Sequence, residues 1–533
     1  MDDNVIKIAN CSGFYGDKLS AAEDMVNGGP IDVLTGDYLA ELTMTILFNQ
    51  KIQRGDDKGY VGTFLKQVKA VAKSCEEQNI KIVTNAGGLN PASMAHEIEK
   101  ILDELNISLK VAYISGDDLM PRMDYLKKEG ELFLNIDKNI PIDKSGCQTL
   151  TANAYLGAWG IKEALDKGAD IVVCPRVTDA AVVIGPAAWK FQWKRNDFDS
   201  LAGALAAGHI IECGCQATGG NYSFFKEVPS FDNVGYPIAE IKEDGSFYIT
   251  KHPGTGGLVS TGTVTAQLLY EISSPAYINP DVIAHFDTLK IEEVSQDRVY
   301  VSGCKGSSPP LTHKVCINLA GGFRNSMEFI LTGLDIEEKA KIIENSLFNS
   351  VGGKEQFDEV SVILDRTDKQ NPKSNEEAMA ALRISVKSKD PDLVGRMFTA
   401  KMIELALANY PGFFTGSGIK PGGPVLVYWP ALVDSKYIKE TVHIDGKKID
   451  IIPSNQMNLE EIYYQKQLVQ IPSPPSDKKI NRPLGDLFGA RSGDKGGCAN
   501  VGVWAKNEKA FSFLNDYLSV KKIKELLPDL QEF

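Results

Sequence analysis

Short apolar, β-branched runs alternate with longer amphipathic ones through the first part of the chain, the pattern of a parallel α/β sheet with its connecting helices. Val5–Ala9, Ile31–Thr35, Lys81–Thr84, Leu109–Ile114 and Asp170–Cys174 read as strands. Ala21–Val26, Leu39–Ile52, Tyr60–Cys75, Ala95–Leu105 and Asn153–Lys167 read as the helices between them. Thr151 is placed to cap the last of these, and Gly168 to close it in the left-handed conformation. From about Gly208 glycine becomes dense. There Ser246–Thr250, Arg298–Val301 and Lys314–Asn318 predict strands, and Ile336–Leu347 and Pro391–Leu407 predict helices. The stretch Ile471–Lys479 is proline-rich and polar, the composition of a linker. The expected map is one large domain over 1–470, with a parallel α/β lobe at 1–207 and a mixed α/β lobe at 208–470. A linker at 471–482 and a small C-terminal segment at 483–533 complete it. The fold class is therefore α/β, with a mostly parallel sheet flanked by helices.

Composition narrows the function. The 533 residues are 43% hydrophobic and 24% charged, as in a globular multidomain chain. A formal net charge of −13 and a pI near 5.2 argue against non-specific nucleic-acid binding and against docking on acidic membranes. Met1-Asp2-Asp3-Asn4 is acidic where a signal peptide is basic, and no stretch approaches the ~18 apolar residues of a membrane span. Nine cysteines without a C-x-x-C pair exclude zinc-ribbon and thioredoxin patterns. These features predict a cytoplasmic protein with no structural disulfide, no resident metal, no membrane and no nucleic-acid partner.

In an open α/β sheet, ligands bind beyond the carboxyl ends of the strands. The expected strands run into Asn10–Asp17, Gly36-Asp37-Tyr38, Asn85–Pro91, Ser115–Asp118 and Pro175–Asp179. Each loop sets glycine or proline beside Asp, Asn, Arg or hydroxyl groups. One such loop is an ordinary turn, whereas five on one edge suggest a site. A second segment, Gly208–Tyr222, gathers His209, Glu212, Cys213, Cys215 and Asn221. A third, Lys251–Gly262, joins Lys251 and His252 to Gly254, Gly256 and Gly257 ahead of a predicted helix from Thr263 to Ile272, a turn suited to phosphate or carboxylate. It is neither a P-loop, lacking G-K-[ST], nor a dinucleotide fingerprint, since Val259 replaces the last glycine. His96-Glu97 lacks the second histidine of a zincin, because Lys100 stands there.

The segment Arg491-Ser-Gly-Asp-Lys-Gly-Gly-Cys-Ala-Asn-Val-Gly-Val-Trp-Ala505 resembles the A-R-S-G-D-K-G-G-N-A-N signature of the acyclic terpene utilisation (AtuA) family. Further matching segments precede it in order: Gly36–Glu41, Thr84–Pro91, Ala169–Trp189, Gly208–Ser223, Tyr236–Glu240, Lys251–Ile272 and Lys314–Arg324. The resemblance implies an AtuA-type domain over 1–470 and a ferredoxin-like domain opening with the Arg491 motif. Cys498 stands where the family has Asn, and the stretch after the linker is too short for a four-stranded unit, so an incomplete ferredoxin-like segment is expected. Family members accompany acyl-CoA carboxylases and hydratases in citronellol and geraniol breakdown. The implied step is lyase-type cleavage of a branched 3-hydroxyglutaryl-CoA, releasing an acetate unit.

On this expectation Asp37, Asp179 or His209 is the catalytic base. Arg176, Asn85, Asn90, Asn221, Lys251, His252 and the amides of Gly254, Gly256 and Gly257 bind carboxylate, thioester oxygen or phosphates. The expected partner is a small-molecule or acyl-CoA substrate, with no cofactor beyond the CoA thioester that the substrate carries, and a homo-oligomer is compatible. The alternative is a non-catalytic acyl-CoA-binding or accessory protein of an acyl-CoA carboxylase pathway. A third reading is a thiol-dependent acyl transferase using Cys213 or Cys215.

Overall fold

The five N-terminal strands form as the apolar runs predict, at Val5–Asn10, Val33–Gly36, Lys81–Thr84, Val111–Ser115 and Ile171–Val173. These come from a computed structural model that describes residues 4–416, 418–453, 481–495 and 498–530. Every residue of Val33–Gly36 and Ile171–Val173 is buried, which requires cover on both faces of the sheet. Two sets of packed helices supply it. One comprises Ala21–Asn27, Gly62–Gln78 and Pro91–Leu105; the other comprises Trp159–Asp166, Ala181–Lys190 and Phe198–Ile211.

The chain divides into two units. The first comprises Met1–Lys144, Thr151–Ile317 and Pro430–Phe533, and holds an eleven-stranded sheet. In spatial order its strands are Lys290–Ser295, Arg298–Ser302, Phe247–Lys251, Pro237–Lys242, Val5–Asn10, Val33–Gly36, Lys81–Thr84, Ile171–Val173, Val111–Ser115, Thr441–Ile444 and Lys447–Asp450. Only the pairings among the five N-terminal strands are parallel. The flanking ones are antiparallel. The expected mostly parallel sheet is thus corrected to a mixed one, and short turns account for three of the antiparallel pairings. Asp244-Gly245, Gln296-Asp297 and Asp445-Gly446 each include a residue with positive φ, and turns this tight return the chain antiparallel.

The second unit comprises Ser145–Leu150 and Asn318–Trp429. Its sheet centres on Thr312–Thr332 and Met379–Ser388, paired antiparallel, with Glu359–Asp365 outside the latter. Burial alternates along Met379–Ser388, so one face looks inward. That face packs with Ile336–Ser350 and Phe398–Glu404 around Phe329, Ile343, Leu347, Leu382, Ile384 and Phe398.

The expected domain map meets the structure at the following points. The boundary placed at 207/208 falls inside the helix Phe198–Ile211, and residues 471–480 of the expected linker lie outside the described residues. After Pro483 the described chain is a two-stranded hairpin, Phe488–Lys495 with Cys498–Ala505, and helices Glu508–Tyr517 and Val520–Leu526. No four-stranded ferredoxin-like unit is formed among the described residues. Among them, too, no helix is long and apolar enough to cross a membrane.

The helix expected over Asn153–Lys167 is in fact a strand, Thr149–Ala154, followed by a shorter helix, Trp159–Asp166. Thr151, read as a cap, lies within that strand, whereas Gly168 does take positive φ, at 84°. The helix start is held instead by distant carboxylates. Asp281 accepts hydrogen bonds from Ala158 N at 2.9 and 3.0 Å, and Glu440 accepts one from Gly160 N at 3.0 Å. Burial pushes Asp281 up to about 6. Burial, and then the neighbouring Asp281 charge, pushes Glu440 up to about 8, with Arg195 opposing. A carboxyl whose pKa rises on folding favours the fold while neutral, so stability is lost as pH climbs from its unfolded value through its folded one. Stability should therefore fall by about 1–3 kcal/mol between about pH 4 and pH 8. Glu440→Gln, which keeps an acceptor for Gly160 N, should flatten the upper part of that fall in urea denaturation. An unchanged pH slope in the variant would remove Glu440 from the account.

Candidate functional site

Because the central strands are parallel, their carboxyl ends share one edge, and neighbouring strands deliver neighbouring side chains. Asp37 follows Val33–Gly36, Asn85 follows Lys81–Thr84, and Arg176 and Asp179 follow Ile171–Val173. These three strands are adjacent in the sheet. Asn85 Nδ2 donates to Asp37 Oδ1 at 2.5 Å, Leu39 N donates to the same oxygen at 3.2 Å, and Tyr38 N donates to Asn85 Oδ1 at 2.8 Å. The loop after the second strand is thereby fixed onto the third.

Arg176 is only 1% exposed. Its Nη1 donates to Asp179 Oδ1 at 2.9 Å and to Leu39 O at 3.0 Å, and its guanidinium carbon lies 4.2 Å from the centroid of the Tyr155 ring. The Tyr155 hydroxyl donates to Glu41 Oε1 at 2.9 Å. Behind Arg176, its backbone N donates to Asp117 Oδ2 at 3.3 Å, which also accepts from Asn153 Nδ2 at 2.7 Å. Glu212 completes the cluster: one carboxylate oxygen from each of Asp37, Asp179 and Glu212 lies within 4.8 Å of the others. Asn10 Nδ2 holds that segment through the carbonyls of Ile211 and Glu212, at 2.5 and 3.0 Å. His209 sits one helical turn before Glu212, wholly buried, with Nδ1 3.4 Å from Glu212 Oε1 and its ring 4.8 Å from that of Tyr277.

Three carboxylates against one guanidinium leave an excess of negative charge in a dry place. Asp37 carries the consequence: burial, then the charges of Asp179 and Glu212, push its carboxyl well above the usual range, with Arg176 and Asn85 pulling the other way. Burial opposes the charge of Arg176 too, but Asp179, Tyr155, Glu41 and Asp37 outweigh it and keep the guanidinium protonated. Asp117 is pushed up to about 7, mainly by burial. The cluster thus combines a carboxyl that holds its proton, carboxylates that can take one, and a fixed positive charge. Its three oxygens also form a donor set of the kind hard divalent cations accept, which the sequence did not suggest.

The other candidate residues are engaged elsewhere. Asn90 caps the helix Pro91–Leu105 through Ser93 N at 3.2 Å and ties it to Asp56 O at 2.9 Å. Asn221 takes a left-handed turn, at φ 55°. Lys251 Nζ donates to Thr255 O at 3.0 Å and pairs with Asp297 Oδ2 at 3.1 Å. His252 Nε2 donates to Met25 O at 2.9 Å, its ring lying against Gly28 and Gly29. The amides of Gly256 and Gly257 are bonded to Asn233 O and Val234 O, so neither offers its N–H to phosphate, and Gly254 takes a tight turn at φ 79°. The structure brings together Asp37, Asn85, Arg176, Asp179 and His209. For the rest it shows contacts that hold loops.

Sequence reasoning missed Glu212 as a site residue, although it stood in the segment singled out for His209. A helical spacing of three residues put the two on one face. It missed Tyr155 altogether, because Tyr155 was assigned to a helix.

A family model described as "Acyclic terpene utilisation family protein AtuA" matches residues 6–444. No curated protein and no solved structure matches the chain.

The charge imbalance has a measurable effect on stability. Asp37→Asn keeps an acceptor for Asn85 and Leu39 and is neutral at every pH, so folding no longer has to bury a charge or take up a proton at this position. It should stabilise the protein by about 1 kcal/mol or more at pH 8. Arg176→Met should cost about 3–5 kcal/mol, because it strands buried carboxylates without their counter-charge. Urea midpoints read both, and a destabilised Asp37→Asn would refute the imbalance.

Proposed function

The chain belongs to the acyclic terpene utilisation AtuA family, and from that membership together with the buried carboxylate cluster we propose that it is a carbon–carbon lyase acting on a branched 3-hydroxyglutaryl-CoA derivative. The carrying observation is geometric: a buried Asp37 within 4.8 Å of two further carboxylates beside a buried guanidinium, an arrangement that pushes its pKa upward. A retro-aldol cleavage moves one proton twice. Asp179 or Glu212 takes the proton of the 3-hydroxyl, and the oxygen's electron pair forms the ketone as the C–C bond breaks. The released pair becomes an enolate, and its carbon collects a proton from Asp37, giving acetate and a 3-oxo acyl product. The base then returns its proton to Asp37 across the cluster. Arg176 supplies the positive charge against which the enolate develops. His209, buried against Glu212, fixes that carboxylate's direction.

One observation favours the accessory reading. Arg176, the cation best suited to grip a substrate carboxylate, already serves Asp179, Leu39 O and Tyr155. A protein that only binds an acyl-CoA and presents it to a carboxylase has no need of a free guanidinium at this depth.

Incubation of the purified protein with 3-hydroxy-3-methylglutaryl-CoA in deuterated water separates the two readings. The lyase should release acetate carrying one solvent deuterium. Asp179→Asn should lower kcat by about a hundredfold with KM little changed. Binding of the same thioester by calorimetry without any turnover would sink the lyase and leave the accessory role.

A further inference from the structure

The Arg491–Trp504 stretch, where the resemblance was first read in the sequence, finds its partners outside the carboxylate cluster. Its strands pair so that Gly489 faces Trp504, Arg491 faces Gly502, and Gly493 faces Asn500. Side chains alternate along a strand, so these three cross-strand pairs share one face of the hairpin. Each pair sets a glycine opposite a large or polar side chain.

That face lies on the end of the helix Thr261–Leu268. Asn500 Oδ1 accepts from Glu271 N at 3.0 Å, and its Nδ2 donates to Leu269 O at 2.8 Å. It thereby satisfies backbone groups that a helix terminus leaves open, next to a left-handed Glu271 at φ 55°. The guanidinium of Arg491 lies 4.5 Å from the centre of the Tyr270 ring. A Cβ on Gly493 would come within 2.5 Å of Glu271 Cγ, and one on Gly502 within 2.5 Å of Leu269 Cβ, so only glycine permits this approach. Trp504, 8% exposed, has its ring 6.3 Å from those of Tyr222 and Phe224. Lys506 pairs with Glu227 beyond it.

The far end of the hairpin reaches another element. Cys498 is exposed and lies beside Asp137, with Lys314 nearby. Lys314 Nζ lies 5.3 Å from the centroid of Tyr155, the ring that also carries Arg176.

We propose that the Arg491–Trp504 signature is a docking face: it clasps the C-terminal hairpin to the end of the Thr261–Leu268 helix and braces the Asp137 and Lys314 rim beside Tyr155. The motif's residue types follow from that task. Gly493 and Gly502 admit the helix end, Asn500 caps it, and Arg491 and Trp504 cover the neighbouring aromatic rings. This assignment stands whatever reaction the carboxylate cluster supports.

Hydrogen exchange on the full chain tests it. Asn500→Ala removes two hydrogen bonds to backbone, so exchange over residues 266–272 and 488–505 should accelerate at least about tenfold. Exchange over 33–36 and 81–84 should stay unchanged. Unchanged exchange at the helix end would overturn the proposal. So would a loss of acyl-CoA binding or turnover without any change in exchange, since that outcome makes Asn500 a substrate contact. If Asn500→Ala fails to accumulate, Asp137→Cys in the otherwise unaltered chain serves instead. A mild oxidant should link the introduced thiol to Cys498 in the folded protein, a peptide pair that mass spectrometry identifies and that Cys498→Ser abolishes. Absence of the link in folded protein would refute the seat of the hairpin on this rim.

Discussion

A guanidinium cannot be removed from water unless acceptors surround it, and carboxylates cannot be gathered out of water without a cation among them. Arg176 meets both conditions at once, and the surrounding structure depends on that exchange. It joins the loop after Ile171–Val173 to the loop after Val33–Gly36 through Leu39 O, and it stacks on Tyr155 from the segment after Thr149–Ala154. Its own backbone N is held by Asp117, which follows Val111–Ser115. Four separate stretches of chain are thereby fixed around one side chain. Attraction at short range in a medium of low polarity is strong, but so is the desolvation it offsets, and the balance yields specificity of arrangement more than stability.

The arrangement leaves residual strain in charge, not in backbone. One cation faces three acids, and the surplus falls on Asp37, whose pKa burial and the charges of Asp179 and Glu212 push upward. Groups placed so that they cannot all ionise are a familiar basis for acid–base work near neutral pH, because the proton they share is easily moved among them. A cluster meant only to hold loops would be better served by amides, as Asn85 and Asn153 show a few ångströms away. The antiparallel strands contribute by covering both edges of the parallel centre. Pro237–Lys242 pairs beside Val5–Asn10, and Thr441–Ile444 beside Val111–Ser115, so neither of these outer parallel strands offers an open edge.

The parallel centre was legible because buried strands read as unbroken apolar runs, and Lys81–Thr84 was bounded to the residue. The residues after those strands were legible for the same architectural reason: strand ends predict a shared edge without any knowledge of side-chain direction. Asp37, Asn85, Arg176 and Asp179 belong to that class. What the sequence concealed depended on packing at long range. Thr149–Ala154 carries β-branched and small residues that tolerate either state, and pairing with the distant strand Thr312–Thr332 decides it. Lys251 and His252 sit in a turn whose composition suits an anion, yet Asp297 and Met25 O, remote in sequence, claim them. Two of the flanking hairpins announced themselves through Asp-Gly turns, Asp244-Gly245 and Asp445-Gly446, that local reading could have used.

A signature and a site need not coincide. The Arg491 motif is a conspicuous stretch of the chain, and its glycines and asparagine invite a catalytic role. The alternation of its face argues otherwise, for docking demands small residues where backbones meet and a two-sided amide where a helix ends with open carbonyl and N–H groups. Such a seam constrains residue types as tightly as catalysis does, because Cβ atoms at Gly493 and Gly502 would each meet a close-packed neighbour. The carboxylate cluster is assembled from loops that look ordinary one at a time. In this molecule the chemistry sits where short, common turn residues converge, and the conspicuous motif holds the surface beside them.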